Sequence, residues 1–268
     1  REGFTPDGRR VLVASPGGLH VHPVAEVSDP RAARVLALPA EHRSLVPLSD
    51  RAVAALHGSR VTVVPLDGAP TSSFEVPAPS VQDQLYVRPG HPGQVAVRNA
   101  AGVELRDARD GRRVGRVPAA GPSTAVFDQA GARLAVTTSA GEVEVWDVAR
   151  GTRSWSFPGG GVEPVGFRDD TLVVGAVNGV QLWRDARLVG QFDHDGTKSG
   201  HYRVVGDRLH HVSFGGQDEW VVLRDFRSLP LDPAGEVRRL CALQDRDFTA
   251  VEAAALPVGA VRDRPCAR

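Results

Sequence analysis

Methionine and isoleucine are absent from this chain, and Lys198 is its only lysine. Arginine therefore supplies 31 of the 32 basic residues. Codons rich in G and C produce that pattern, so the sequence points to a high-GC bacterium of the actinobacterial kind. Position 1 is Arg, not Met, which is expected of a fragment, a processed form or one domain of a longer chain. An excess of either charge is also missing, since 32 Lys+Arg face 32 Asp+Glu. Binding a nucleic-acid backbone takes surplus Arg and Lys to displace counterions, so no nucleic-acid partner is expected. No apolar run approaches the roughly 18 residues of a membrane helix, and no signal-peptide core is present. The expectation is a cytoplasmic protein with no membrane partner. The two cysteines, Cys241 and Cys266, both fall in the last tenth of the chain and make no disulfide framework.

What is present is an ordinary globular composition, 41% hydrophobic and 24% charged. The 268 residues allow one large all-β domain or two smaller ones. An internal repeat decides the architecture. Ala140 to Gly151 alternates apolar and charged residues with period two, the pattern of a strand with one buried face, and ends in Trp146-Asp147 before a turn glycine. Gly102-Val103-Glu104-Leu105-Arg106-Asp107 repeats it, as do Gly179 to Arg184 and Val221 to Asp225. Weaker copies run from Gly18 to Pro23 and from Arg60 to Pro65. The first inward apolar residues are Leu19, Val61, Val103, Val143, Val180 and Val221, at intervals of 42, 42, 40, 37 and 41. Six copies at roughly 40–45 residues, with several short strands each, have the period of a propeller blade.

Each unit fills out alike. A second apolar strand precedes the marker, as in Val11–Ala14, Ala52–Leu56, Gln94–Val97, Arg133–Val136, Thr171–Val174 and Arg208–Val212. Turns such as Thr5-Pro6-Asp7-Gly8 and Asp128-Gln129-Ala130-Gly131 come before it. A short strand stands ahead of the turn (Ala125-Val126-Phe127, Val165-Gly166-Phe167), and a fourth follows the marker (Arg113–Val117, Arg153–Phe157). Four antiparallel strands make one blade, so the expected fold is an all-β propeller with six countable blades.

Trp146-Asp147, the Arg106-Asp107 and Arg224-Asp225 variants and the opening Phe4-Thr5-Pro6-Asp7-Gly8-Arg9-Arg10 resemble the WD40 repeat family over about residues 4 to 227. No Gly-His dipeptide opens a blade, so that family's buried His–Ser–Trp–Asp network has no candidate here. The last blade of such proteins usually takes its outer strand from the N-terminal side. The resemblance therefore implies a strand, and a seventh blade, upstream of Arg1; a closed ring of six blades is the other reading. Residues 1–232 are assigned to the propeller and 233–268 to a helical extension. Apolar residues at 237, 240, 241 and 243 form a helical stripe after Asp232-Pro233, and Thr249 with Glu252 reads as a capping box ahead of Pro257. This tail resembles the C-terminal extension of large actinobacterial WD40 proteins, in which an NTPase of the STAND type, a protease or a kinase precedes the propeller. The usual Trp after the Glu is replaced by Ala253-Ala254.

Candidate chemistry is sparse. His20 and His22 leave the same face of one strand, as two metal ligands would, but no third ligand is set by spacing. Asp193-His194-Asp195-Gly196 opens like a calcium loop and lacks the later ligands. His210 and His211 point to opposite faces. Gly159-Gly160-Gly161 has no following Lys-Ser/Thr and is no phosphate loop. No nucleophile elbow is present, and neither cysteine has a nearby histidine. No metal site, catalytic residue or cofactor is therefore assigned. Cys241 and Cys266 bracket the helical tail, and a disulfide between them is one expectation; a buried thiol at 241 and a frayed terminus at 266 is the other.

The loops on a propeller's narrower face join successive blades and join each blade's second and third strands. The repeat places His42, Arg43, His57, Asp83, Arg98, Glu163, Asn178, Lys198, His201 and the 215–219 loop there. Their mixed charge suits a protein or peptide. The expected function is a non-enzymatic interaction, scaffold or sensor module of a larger signalling or defence protein, its partner including an upstream effector domain of the same parent chain. The alternative is a propeller enzyme, lactonase-like or quinoprotein-like, with its site in the central channel.

Overall fold

The apolar stretches of the repeat form strands, and every strand pair with a resolved register is antiparallel between sequence neighbours. The structure, a computed structural model, describes residues 2–15, 17–26, 28–38, 42, 44–76, 84–176, 179–193, 200–205, 208–215, 222–231 and 249–254. The chain divides into two compact units, Arg1–Ser139 with Val145–Ser154, and Ala140–Glu144 with Trp155–Arg268.

The first unit holds three complete sheets. They are β1 (Glu2–Phe4), β2 (Arg10–Ser15), β3 (Gly18–Pro23) and β4 (Arg34–Leu36); β5 (Ser44–Ser49), β6 (Ala52–His57), β7 (Arg60–Pro65) and β8 (Ser72–Glu75); and β9 (Gln84–Val87), β10 (Gln94–Asn99), β11 (Gly102–Asp107) and β12 (Arg113–Val117). Each is a four-stranded meander in chain order. A fourth, of the same order, comprises β13 (Thr124–Phe127), β14 (Arg133–Thr137), β15 (Glu142–Asp147) and β16 (Thr152–Pro158), and the division between units falls within it. The second unit adds β17 (Glu163–Arg168), β18 (Thr171–Ala176), β19 (Gly179–Arg184) and β20 (Arg187–Asp193), then the three-stranded β21 (Gly200–Val205), β22 (Arg208–Gly215) and β23 (Val222–Pro230). The fold is all-β, built from sheets of the propeller-blade type. Among the described residues no helix is long and apolar enough to cross a membrane.

Turn chemistry explains the strand boundaries. Asp128 accepts from the backbone N–H groups of Ala132 (2.8 Å) and Arg133 (3.1 Å) and from Arg133 Nε (3.0 Å), which closes the β13–β14 turn. Asp7 plays a related part before β2, accepting from Thr5 Oγ1 at 2.6 Å and from the Arg9 N–H at 3.0 Å. Asp147, the Asp of the Trp-Asp pair, accepts from the Arg150 N–H at 2.9 Å and ends β15. Gly102 opens β11 at φ 135°, where a Cβ would stand 2.2 Å from the Val117 carbonyl oxygen. Gly18 opens β3 in the same way, 2.5 Å from the Leu36 oxygen. The glycine ahead of these marker strands is thus dictated by close approach of the fourth strand.

The five described marker residues, Leu19, Val61, Val103, Val143 and Val180, are all 0–2% exposed. The cores of the first unit lie between consecutive sheets. Leu12, Leu19 and Val21 meet Val53, Val64 and Leu66; Leu56, Val61 and Val63 meet Leu85, Val95 and Val97; Ala96, Val103 and Leu105 meet Phe127, Leu134 and Trp146. One strand thus serves two cores from its two faces, Val95 and Val97 on one side of β10 and Ala96 on the other. This corrects the expectation of one buried face, because the charged positions of the marker strands are buried as well. Glu104 is 7% exposed and Glu144 6%. Glu104 is matched by Arg106, whose Nε lies 3.0 Å from Oε2 and whose Nη1 donates to the Gly111 carbonyl at 2.8 Å. In the second unit Val173, Val180 and Leu182 pack with Leu209 and Leu231.

At the C-terminal side β23 continues beyond the marker through Arg227–Pro230, paired with β22 from Gly215↔Val222 to Arg208↔Pro230. Of the tail, Ala250–Ala254 forms a helix, α1. Thr249 and Glu252 cap it reciprocally, Thr249 N–H to Glu252 Oε2 at 2.8 Å and Glu252 N–H to Thr249 Oγ1 at 3.3 Å. The expected first helix, Val221, Cys241 and Cys266 lie outside the described residues.

Candidate functional site

A pocket of about 380 Å³ opens in the second unit. Three segments build it: the Pro158–Val162 loop after β16, the β18–β19 hairpin end at Ala176 and Gly179, and the face of β19 and β20 that carries Gln181, Trp183 and Gln191. Period-two alternation puts Gln181 and Trp183 on the face opposite Leu182, which packs in the core with Leu209. Gln181 and Gln191 are direct cross-strand partners, so their amides project side by side. Phe157 of β16 stacks on the Trp183 indole with ring centroids 3.8 Å apart and planes 9° apart, and Trp155 stands 6.1 Å beyond Phe157. Trp183 Nε1 donates to Gln181 Oε1 at 3.0 Å. The loop comes close at Gly159, where a Cβ would lie 2.6 Å from the Gly141 oxygen.

Among the described residues the lining includes no Asp, Glu, His, Cys, Lys or Arg. What these residues offer is hydrogen bonding and ring stacking. The ionisable groups with shifted titration lie elsewhere and have structural causes. The Arg150 N–H holds the Asp147 carboxyl below its usual range, the Thr5 hydroxyl does so for Asp7, and the Ser59 hydroxyl for Glu75. Burial raises the Tyr202 phenol.

Of the residues singled out from sequence as partner-binding, those described do not line this pocket. His57 ends β6 beside its hairpin turn and is exposed. Glu163 is the exposed first residue of β17. Arg98 departs from its expected loop setting: it lies in β10, paired with Val103 and Gln84, and is 4% exposed. Its position alternates with Val97 and Asn99, so the same two-faced packing that buries Ala96 buries it. His42 is half-buried, and His201 stands in β21 opposite Val212. Arg43, Asp83, Asn178, Lys198 and the 216–219 loop lie outside the described residues.

His20 and His22 do share a strand, β3. His20 Nε2 meets Ser15 Oγ at 3.0 Å, and that oxygen also accepts from the Gly17 N–H at 3.1 Å, which ties the β2–β3 hairpin. Among the described residues no carboxylate bonds to His20. Among the described residues no group of three or more His, Cys, Asp or Glu side chains is placed to hold a metal ion. Among the described residues, Gly159-Gly160-Gly161 and the marker strand Gly179–Arg184 reach the pocket. The alternation of Gln181 with Trp183 was its one local signal.

No protein-family model matches the chain, and no curated protein matches it.

Proposed function

We propose that the chain is a WD40-like β-propeller acting as an interaction, scaffold or sensor module of a larger bacterial signalling or defence protein. The observation that carries this reading is the part played by the Trp-Asp pair of β15. Trp146 packs in an inter-sheet core with Val103, Phe127 and Leu134, while Asp147 closes the following turn through the Arg150 N–H. Two buried carboxylates, Asp128 and Glu104, are likewise spent on turns and strands. Rigid sheets of this kind hold loops in place for recognition. The step from fold to role is by analogy, and it gives a protein or peptide as partner, foremost an effector domain upstream in the parent chain, in the cytoplasm and without cofactor.

The test is binding of the purified chain to the domain encoded upstream, measured by calorimetry. His57→Glu and Glu163→Arg, each at an exposed position, are expected to leave the melting temperature unchanged and at least one of them to weaken binding about tenfold. No binding by the wild-type chain, together with turnover of lactone or alcohol substrates, would replace the reading with that of a propeller enzyme.

A further inference from the structure

We propose that the pocket between the Pro158–Val162 loop and the β19–β20 face binds a neutral sugar, with Trp183 as stacking platform and Gln181 and Gln191 as hydroxyl partners. This goes beyond the interaction role and stands or falls separately from it.

The argument runs by what the lining can satisfy. With no charged side chain among the described residues of the wall, a phosphate, carboxylate or ammonium ligand would find no charged partner among them. A wholly apolar ligand would gain no hydrogen bond from the amides of the lining. What fits is a ligand both uncharged and rich in hydrogen-bonding groups, with one apolar face for the indole. A pyranose has that form, hydroxyls around its rim and C–H bonds on its flat face. The Trp183 indole is held for the purpose, since Phe157 lies parallel to it at 3.8 Å.

The amide orientation follows as well. Indole Nε1 only donates, so its 3.0 Å contact assigns the near atom of Gln181 as the carbonyl oxygen. The Gln181 NH₂ group is therefore turned from the indole nitrogen, and it is a donor. Gln191, its cross-strand partner, sets a second amide about 5 Å away at Cβ. Two adjacent amides, each with donor and acceptor, match neighbouring hydroxyls, which both donate and accept. The volume of about 380 Å³ is at the small end of ligand pockets and suits a mono- or disaccharide. An extended peptide fits less well: β19 is already paired on both sides, by β18 and β20, so its backbone is not available for strand addition.

The experiment titrates the full chain with D-glucose, D-galactose, N-acetyl-D-glucosamine, cellobiose, lactose and chitobiose, read by tryptophan fluorescence and saturation-transfer NMR. At least one of these is expected to bind saturably in the millimolar range. Gln191→Ala, outside the aromatic stack, is expected to weaken it about tenfold with an unchanged melting temperature. Trp183→Phe is expected to remove the fluorescence response. Should Trp183→Phe fail to fold, Gln191→Ala decides alone. The proposal is overturned if none of the six sugars binds, if the bound sugar is indifferent to Gln191→Ala, or if a neutral peptide library saturates the same site while the sugars do not.

Discussion

Gly102→Ala tests the packing of the marker strands against a built-in reference, Gly141→Ala. Gly102 opens β11 at φ 135°, and an added Cβ would stand 2.2 Å from the Val117 oxygen and 3.2 Å from Pro118 Cα. Both are backbone atoms, so no side chain can swing aside. Relief requires β12 to move off β11 next to Val103, which is fully buried. The strained dihedral costs about 1–3 kcal/mol and the forced displacement about as much again, so the expected loss is roughly 3–5 kcal/mol. Gly141 also has positive φ, 77°, but nothing lies within 4 Å of its Cβ. Its alanine variant bears the dihedral term alone, about 1–2 kcal/mol. For a chain of this size each kcal/mol moves Tm by about 2–4 °C. Melts followed by far-UV circular dichroism should therefore fall by about 6–20 °C for Gly102→Ala and by about 2–8 °C for Gly141→Ala. Equal drops for the two variants, or a Gly102→Ala melt within about 2 °C of wild type, would refute the contact between β11 and β12.

Val145→Asp places a carboxylate at a position that is 0% exposed in β15; a loss of several kcal/mol is expected, and a chain that fails to unfold cooperatively in urea would be consistent with it. Glu104→Ala leaves the Arg106 guanidinium, 12% exposed, without its carboxylate; the expected cost is about 3 kcal/mol by urea unfolding, and Glu104→Leu with Arg106→Leu should recover most of it. Asp147 is held below its usual range chiefly by the Arg150 N–H, and a depressed carboxylate adds stability above its unfolded value of about 4, lost as pH falls through the folded value. Tm should accordingly decline on acidification below about pH 4, and Asp147→Asn should flatten that acid limb.

The sequence by itself determined the strands and their order. Period-two alternation, Asp-Gly and Asp-X-X-Gly turns and a marker recurring near every 40 residues are local signals, and strand pairing here joins only neighbours in the chain. The capping box at Thr249 and Glu252 was legible for the same reason, lying within one turn of helix. Tertiary structure alone decided what lies between sheets. Alternation marks the two faces of a strand but not whether the second face meets water, so Glu104, Glu144 and Arg98 read as solvent-facing and are buried. The pocket was hidden likewise: Phe157 and Trp183 come from different sheets, Gln181 and Gln191 meet only through strand register, and the glycine loop closes over them from a third direction. Contacts between repeats depend on how successive sheets stack, and no spacing within one repeat encodes that.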